Sequence, residues 1–443
     1  MADTDVPGVE KQMEGKLVRY YHKLRNNLPV FVAAVLACGA VIWLTFNLEA
    51  LGKNIPQTNI PLDYLVGLTW ALLLAILLFL WPVRERKQLL IIWSIKVLMT
   101  CVIMLFYEAN YAVLDAYSYF SYGTQGKFIG ETIPLLSGTD FVYWVTAGLS
   151  LLTGGSYRAL VVIYSFFGLI GIWLIYRSVV LYFNYRDTTL LYLLGLFPSL
   201  LFWGSILGKD PLQLLFIGIY SYGAAGWLRH GKIGSLFIAI LGIGLVGLVR
   251  PWWVLITVIP LLMVSAFTST RLKRFACFVL LLLLVAGAAI AFVNYSHITS
   301  VADVVGFVDS WSKNMSIGGS AQPMPEFHSL SDMLVYWPWG TFTALFRPLP
   351  WDAHNLFAVF SGAENLILLI FFIAALFHFR LKYLKSPFIL WIVLIILVWA
   401  MIYAFISSPN LGAAVRFKAT MLPYLLIFIW IFAFPKVRER LKR

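Results

Sequence analysis

Charge is what this chain has least of. Asp, Glu, Lys and Arg make up 12% of its 443 residues, whereas a soluble domain carries about a quarter. So few charges do not coat a water-exposed surface of this size, which argues against an ordinary soluble enzyme. Cysteine is nearly absent as well. Cys38, Cys101 and Cys277 all fall inside apolar runs without metal-type spacing. They read as small core residues, neither a disulfide framework nor a metal centre. There is no phosphate-cradling glycine loop, no nucleophile elbow and no His/Cys cluster. His297, His328 and His354 share one segment at irregular spacing, so no metal ligands are assigned. No cleavable signal peptide is expected, because residues 1–28 are polar and the first apolar run is long enough to stay in a membrane.

What the chain has in abundance is apolar length. Hydrophobic residues are 61% of the total, gathered in unbroken runs such as Phe275–Val293. A run of roughly 20 apolar residues spans a bilayer core of about 30 Å. Lipid offers no hydrogen bonds, so such runs are helices or strands of a closed barrel, and the alternation of barrel strands is missing. The expected fold is all-α: a polytopic bundle of twelve transmembrane helices at 29–47, 63–83, 89–107, 157–177, 188–206, 211–228, 233–249, 252–270, 275–293, 356–378, 387–406 and 419–435.

The net charge of +13 is compatible with nucleic acid as a partner, but its distribution points elsewhere. With the N-terminus in the cytoplasm and alternate crossings, the inner segments collect 23 of the 33 Lys and Arg. Basic loops are retained inside during insertion. The expected location is therefore the inner (plasma) membrane, multi-pass, with both termini cytoplasmic. The chain divides into a cytoplasmic segment 1–28, two leading helices in 29–88, a main domain 89–435 and a basic tail 436–443. Long outer loops run over 108–156 and 294–355. Within the first, Phe141–Leu152 is apolar but too short to span, and reads as an interfacial helix.

The candidate functional residues lie on the outer side. Asp115 sits among Tyr111, Tyr117, Tyr119 and Tyr122, where a carboxylate can take a proton from a hydroxyl and tyrosines can stack on a sugar. An interfacial aromatic belt with a helix-capping Asp accounts for the same residues. The turn GSILGKDPL holds Lys209 and Asp210; a capping Asp210 before Pro211 explains part of it, but not Lys209. Arg250 follows in LVRPWW, Arg347 in FRPLPWDAHN, and Arg416 and Lys418 in the last outer turn. A single outer cation is commonly a snorkelling side chain. Several at short turns suggest an anion pocket, because Arg and Lys are the usual phosphate partners.

The order and texture of residues 89–435 resemble the GT-C membrane glycosyltransferases. The resemblance rests on Asp115 with Tyr117 and Tyr119, Gly154 to Arg158, Phe197–Pro198–Ser199, the outer acid Asp210, and Arg416 ahead of Pro423. The texture is also similar to uncharacterised membrane proteins of bacterial surface-polysaccharide pathways. The GT-C resemblance implies a polyprenyl-linked sugar donor, a glycan or lipid acceptor, Asp115 as catalytic base, and donor-phosphate binding by Lys209, Arg250, Arg416 and Arg347. Tyr117, Tyr119 and Asp210 would face the acceptor or sugar. No cofactor is certain and a divalent metal is possible; the adjacent Asp-Glu pair of many members is missing here, with Glu108 and Glu131 the nearest other acids. Two helices precede the resembling part. Rival expectations are a polysaccharide polymerase or ligase, a lipid-linked sugar flippase, and a scaffold subunit. A flippase needs charge near mid-depth. Only Lys96, read as snorkelling, and Glu364 offer it.

Overall fold

The computed structural model describes residues 46–128, 130–134, 137–268, 300–316, 318–353 and 355–440, with isolated positions at 39 and within 275–287. The expected segment 1–28, residues 441–443 of the expected tail 436–443, most of the helices 29–47 and 275–293, and His297 and His354 lie outside the described residues.

The described chain is helical, and its one β contact is an isolated bridge between Ala321 and Asn410. The helices are α1 (Ile60–Leu80), α2 (Arg86–Asn110), α3 (Asp115–Thr124), α4 (Gly138–Thr153), α5 (Tyr157–Phe183), α6 (Thr188–Leu196), α7 (Pro198–Trp203) and α8 (Lys209–His230). They continue as α9 (Ile233–Val249), α10 (Trp253–Thr268), α11 (Val301–Met315), α12 (Leu330–Phe346), α13 (Leu356–His378), α14 (Pro387–Ile406), α15 (Leu411–Ala433) and α16 (Pro435–Arg440). Local chemistry sets many boundaries. Asn59, Ser137, Ser156 and Asn410 accept backbone N–H bonds as N-caps of α1, α4, α5 and α15. Gly154 and Gly155 end α4 with φ of 61° and 73°, a region that favours glycine.

Among the described residues, six helices are long and apolar enough to cross a membrane: α1, α2, α5, α13, α14 and α15. Four further expected spans take other forms. The run 188–206 breaks into α6 and α7 at Phe197–Pro198, where Phe197 is extended and proline has no N–H. Helix α8 has the length, but Lys209, Asp210, Gln213, Ser221 and Arg229 dilute its apolar character. Helices α9 and α10 have 17 and 16 residues, about 25 Å each at 1.5 Å per residue.

The bundle is organised around α5 and α15, buried over 72% and 89% of their most apolar windows, against 28% for α1 and 22% for α13. Central helices hydrophobic all round and outer helices with one exposed apolar face are what a bundle in lipid requires. Helices α5 and α8 pack backbone to backbone. A Cβ on Gly171 would lie 2.3 Å from the carbonyl oxygen of Leu214, and one on Gly218 would lie 2.6 Å from that of Gly171. Helix α2 contains a π-helical turn at Met99–Ile103. The segment expected as interfacial forms α4, extending to Gly138–Thr153.

Candidate functional site

Four segments far apart in sequence bring charge to one end of the bundle. Asp115 opens α3, Lys209 and Asp210 open α8, Arg250 follows α9 directly, and Arg416 lies in the second turn of α15. Arg416 was expected in an outer turn ahead of a helix at 419. The helix instead begins at Leu411, because Asn410 caps it and its charges find partners.

The side chains form an alternating chain of charge. Arg416 Nη1 is bonded to Asp115 Oδ2. Arg416 Nε reaches Asp210 Oδ2 at 2.7 Å, and Arg250 Nη2 reaches Asp210 Oδ1 at 2.6 Å. Asp210 is completely buried, whereas the Asp115 side chain is 62% exposed. The exposed Asp115 leaves one end of the chain of charges open to solvent and to a ligand. Asp210 does not cap α8, as the Asp-Pro pair suggested: the N-cap is Gly208 and no side chain caps it. Nor does Asp210 face outward to a sugar, since both of its oxygens are held by guanidinium groups. Burial by itself raises this carboxyl, but Arg416 and Arg250 outweigh it and hold Asp210 below the ordinary carboxylate range.

Aromatic rings frame the chain. Arg416 lies 5.7 Å from the centre of the Trp203 ring and Arg250 lies 5.6 Å from that of Phe417. Tyr119 lines the turn before α8, where a Cβ on Gly208 would come within 3.3 Å of the tyrosine ring and 3.9 Å of Arg416 Nη2. Lys209 Nζ donates to Thr139 Oγ1 on α4 at 2.9 Å. Burial, then the neighbouring Arg250 and Arg416, push its ammonium down to about 8. Arg250 Nη1 is buried and has no hydrogen-bond partner, as is true of both polar atoms of Gln213 one turn into α8. A buried donor left unpaired is costly, so Arg250 Nη1 is a natural contact for a bound anion.

Two expected residues stand elsewhere. Arg347 is held by Asp352 through two bonds, at 2.8 and 3.0 Å, and also donates to Gln322 at 3.0 Å. Those contacts with Arg347, strongest among the causes, hold Asp352 below the usual carboxylate range. Tyr117 turns away from Asp115 and packs on Tyr157, with ring centres 5.7 Å apart.

Tyr157 belongs to a second, buried network that sequence reasoning missed. Its hydroxyl donates to Glu108 Oε1 at 2.9 Å. Arg158 bonds Glu108 and the carbonyl of Thr100, and lies 4.4 Å from the Tyr64 ring centre. Asp63 accepts from Ser156 Oγ at 2.6 Å and from the Arg158 backbone N–H. The visible signals were Arg158 three residues after Gly155 and an acid at Glu108, but neither announced its partner. Lys96 does not snorkel: it is fully buried and donates to Gly204 O at 2.9 Å and Ser205 Oγ at 2.8 Å, beneath the turn that leads into Lys209. Glu364 accepts from Ser199 N and Oγ at 2.8 and 2.5 Å, and buried Lys418 is bonded to Asn365.

An apolar groove of about 300 Å3 lies along α4, lined by Phe128, Trp144, Val145, Gly148 and Leu151 among others. It contains none of the charged residues. Among the described residues no group of three or more His, Cys, Asp and Glu side chains could hold a metal ion. Comparisons with family models, curated proteins and solved structures find no match.

Proposed function

We propose that the chain is a GT-C-type membrane glycosyltransferase of twelve spans, which moves a sugar from a polyprenyl-phosphate or -diphosphate donor to a glycan or lipid acceptor. The reaction would take place on the extracytoplasmic face of the inner membrane, in cell-surface polysaccharide synthesis. The observation that carries this reading is the meeting of Asp115, Asp210, Arg250 and Arg416, with Lys209 beside them, at one end of an apolar bundle. A lipid-borne sugar phosphate has an apolar tail, an anion at headgroup level and a sugar in water, and these three parts match the lipid-facing helices, the cations and the exposed Asp115. The twelve spans combine the six long helices, α6–α7, α8, α9 and α10, and two runs outside the described residues.

In this reading the acceptor hydroxyl attacks the anomeric carbon and its proton passes to Asp115. The bond from that carbon to the phosphate oxygen breaks, and the electron pair leaves with the phosphate. Lys209, Arg250 and Arg416 stabilise the charge that grows on the leaving oxygen, a contribution of about 10²–10³ in rate per well-placed donor. Tyr119 stacks near the sugar. Arg347 and Tyr117, engaged elsewhere, have no part in the step.

Asp115→Asn is the test. The variant should be produced in normal amount and should co-purify with polyprenyl-linked sugar detectable by mass spectrometry. Glycan product should fall by about 10²–10⁴, the range of general-base catalysis. Near-normal product would refute the role of Asp115. No polyprenyl lipid on the wild-type protein would refute the donor.

Specific observations favour a second reading, a lipid-linked sugar flippase. The helix break at Phe197–Pro198, Glu364 on Ser199 and buried Lys418 resemble the discontinuous helices and interior charges of transporters. Movement of intact lipid-linked sugar across proteoliposomes, with no new glycosidic bond, would select it.

A further inference from the structure

A divalent metal in a site of this kind needs a gap between carboxylates, and Asp115 with Asp210 is the pair available. The gap is filled by a side chain. We infer that Arg416 takes the place of a divalent cation in this site and that donor binding is independent of metal.

Three observations carry the inference. First, Arg416 bonds both acids at once, through Nη1 to Asp115 and Nε to Asp210. The remaining oxygen of Asp210 is held by Arg250. A metal would have to displace guanidinium groups from a fully buried carboxylate, and those groups keep their charge at any working pH. Second, the charges are already balanced to suit an anion. Three cations (Lys209, Arg250, Arg416) face two acids (Asp115, Asp210), which leaves one positive charge in excess. A divalent ion among them would be repelled by all three cations. Third, the donors that would otherwise be replaced by a Lewis acid are present. Arg250 Nη1 is buried and unpartnered, and Arg416 Nη2 lies beside Gly208 with Nη1 and Nε used on the acids. Hard divalent cations bind through carboxylate oxygens, and three of the four oxygens of Asp115 and Asp210 are already held by guanidinium groups. The acidic pair missing from the first outer loop is thus completed by Asp210 of α8, neither by Glu108 nor by Glu131, and its cation belongs to the protein.

The consequence for catalysis rests on the glycosyl-transfer reading, whereas the metal prediction itself does not. Full-length protein is stripped with EDTA and titrated with Mn2+, and free Mn2+ is followed by electron paramagnetic resonance. The free signal should grow from the first addition, with no equivalent taken up. Uptake of one equivalent that is lost in Asp210→Asn would overturn the inference. Asp115→Asn, at an exposed position, serves the same purpose if the first variant fails to fold. Binding of a polyprenyl phosphate to the wild-type protein is then compared in EDTA and in Mn2+. Equal affinity is expected, and an affinity about tenfold or more lower in EDTA would also overturn it. If the lipid binds under neither condition, the glycosyl-transfer reading falls and the Mn2+ titration still decides the role of Arg416.

Discussion

Lys209 opens the helix that carries the site, and its charge depends on what sits beside it. Burial and two arginines bring its ammonium down to about 8, so in the empty site it is charged below that pH and neutral above it. A phosphate placed there favours the charged form. Above about pH 8 binding must therefore take up a proton, and affinity should fall with rising pH, by at most about tenfold per unit. Below that pH it should be level. Lys209→Arg keeps its charge throughout and should flatten the alkaline limb. A pH titration of phosphate-lipid binding checks both, and a level wild-type profile into the alkaline range would contradict the assignment. The sequence reading set each of these cations at a turn between apolar runs. It did not show their partners, because Arg416 lies 301 positions from Asp115 and 206 from Asp210. Pairing over such distances is decided by helix packing. The same reason hid Arg158–Glu108, and it explains why Lys96 was read as reaching for the membrane surface when two oxygens of a neighbouring turn were waiting for it.

At the scale of elements, three of the apolar runs were legible to the residue, and others were displaced or too short by several residues. The expected helices at 356–378 and 387–406 match α13 and α14, and 233–249 matches α9. Run length is a local property, and lipid rewards it directly. Helices α3, α11 and α12 lie in loops where no long run marks them. Here Tyr-rich or capping-box sequences such as Ser300 with Asp303 were the available signal. The break in 188–206 was written in Pro198 and passed over, because the residues on both sides stay apolar. Packing between elements adds a requirement that no periodicity reveals. Gly171 meets the Leu214 carbonyl so closely that even a methyl group collides. Gly171→Ala should destabilise the protein by about 1–3 kcal/mol. Gly148→Ala, which meets nothing within 4 Å, should change stability by no more than about 0.5 kcal/mol. Thermal unfolding of both variants in detergent separates them, and equal melting temperatures would show that α5 and α8 are not in this register.

For the whole molecule, the charge pattern predicts which end of the bundle faces outward. In a cysteine-free background, a membrane-impermeant maleimide applied to intact cells should label a cysteine placed at Tyr122 or Lys127. It should reach one at Arg186 only after permeabilisation. Labelling at Arg186 in intact cells would invert the topology and remove the site from the extracytoplasmic face.

The π-helical turn in α2 bears on this larger arrangement. Twelve positions separate Lys96 from Glu108, which on a straight helix would set their side chains about 120° apart. One extra residue wound into Met99–Ile103 takes back about 100° of that. Both polar groups therefore lie on nearly the same side of α2, Lys96 supporting the Gly204–Ser205 turn and Glu108 receiving Arg158. A single rod can anchor two stacked polar layers only because its winding slips between them, and an α2 without that slip would turn one of the two toward the hydrocarbon.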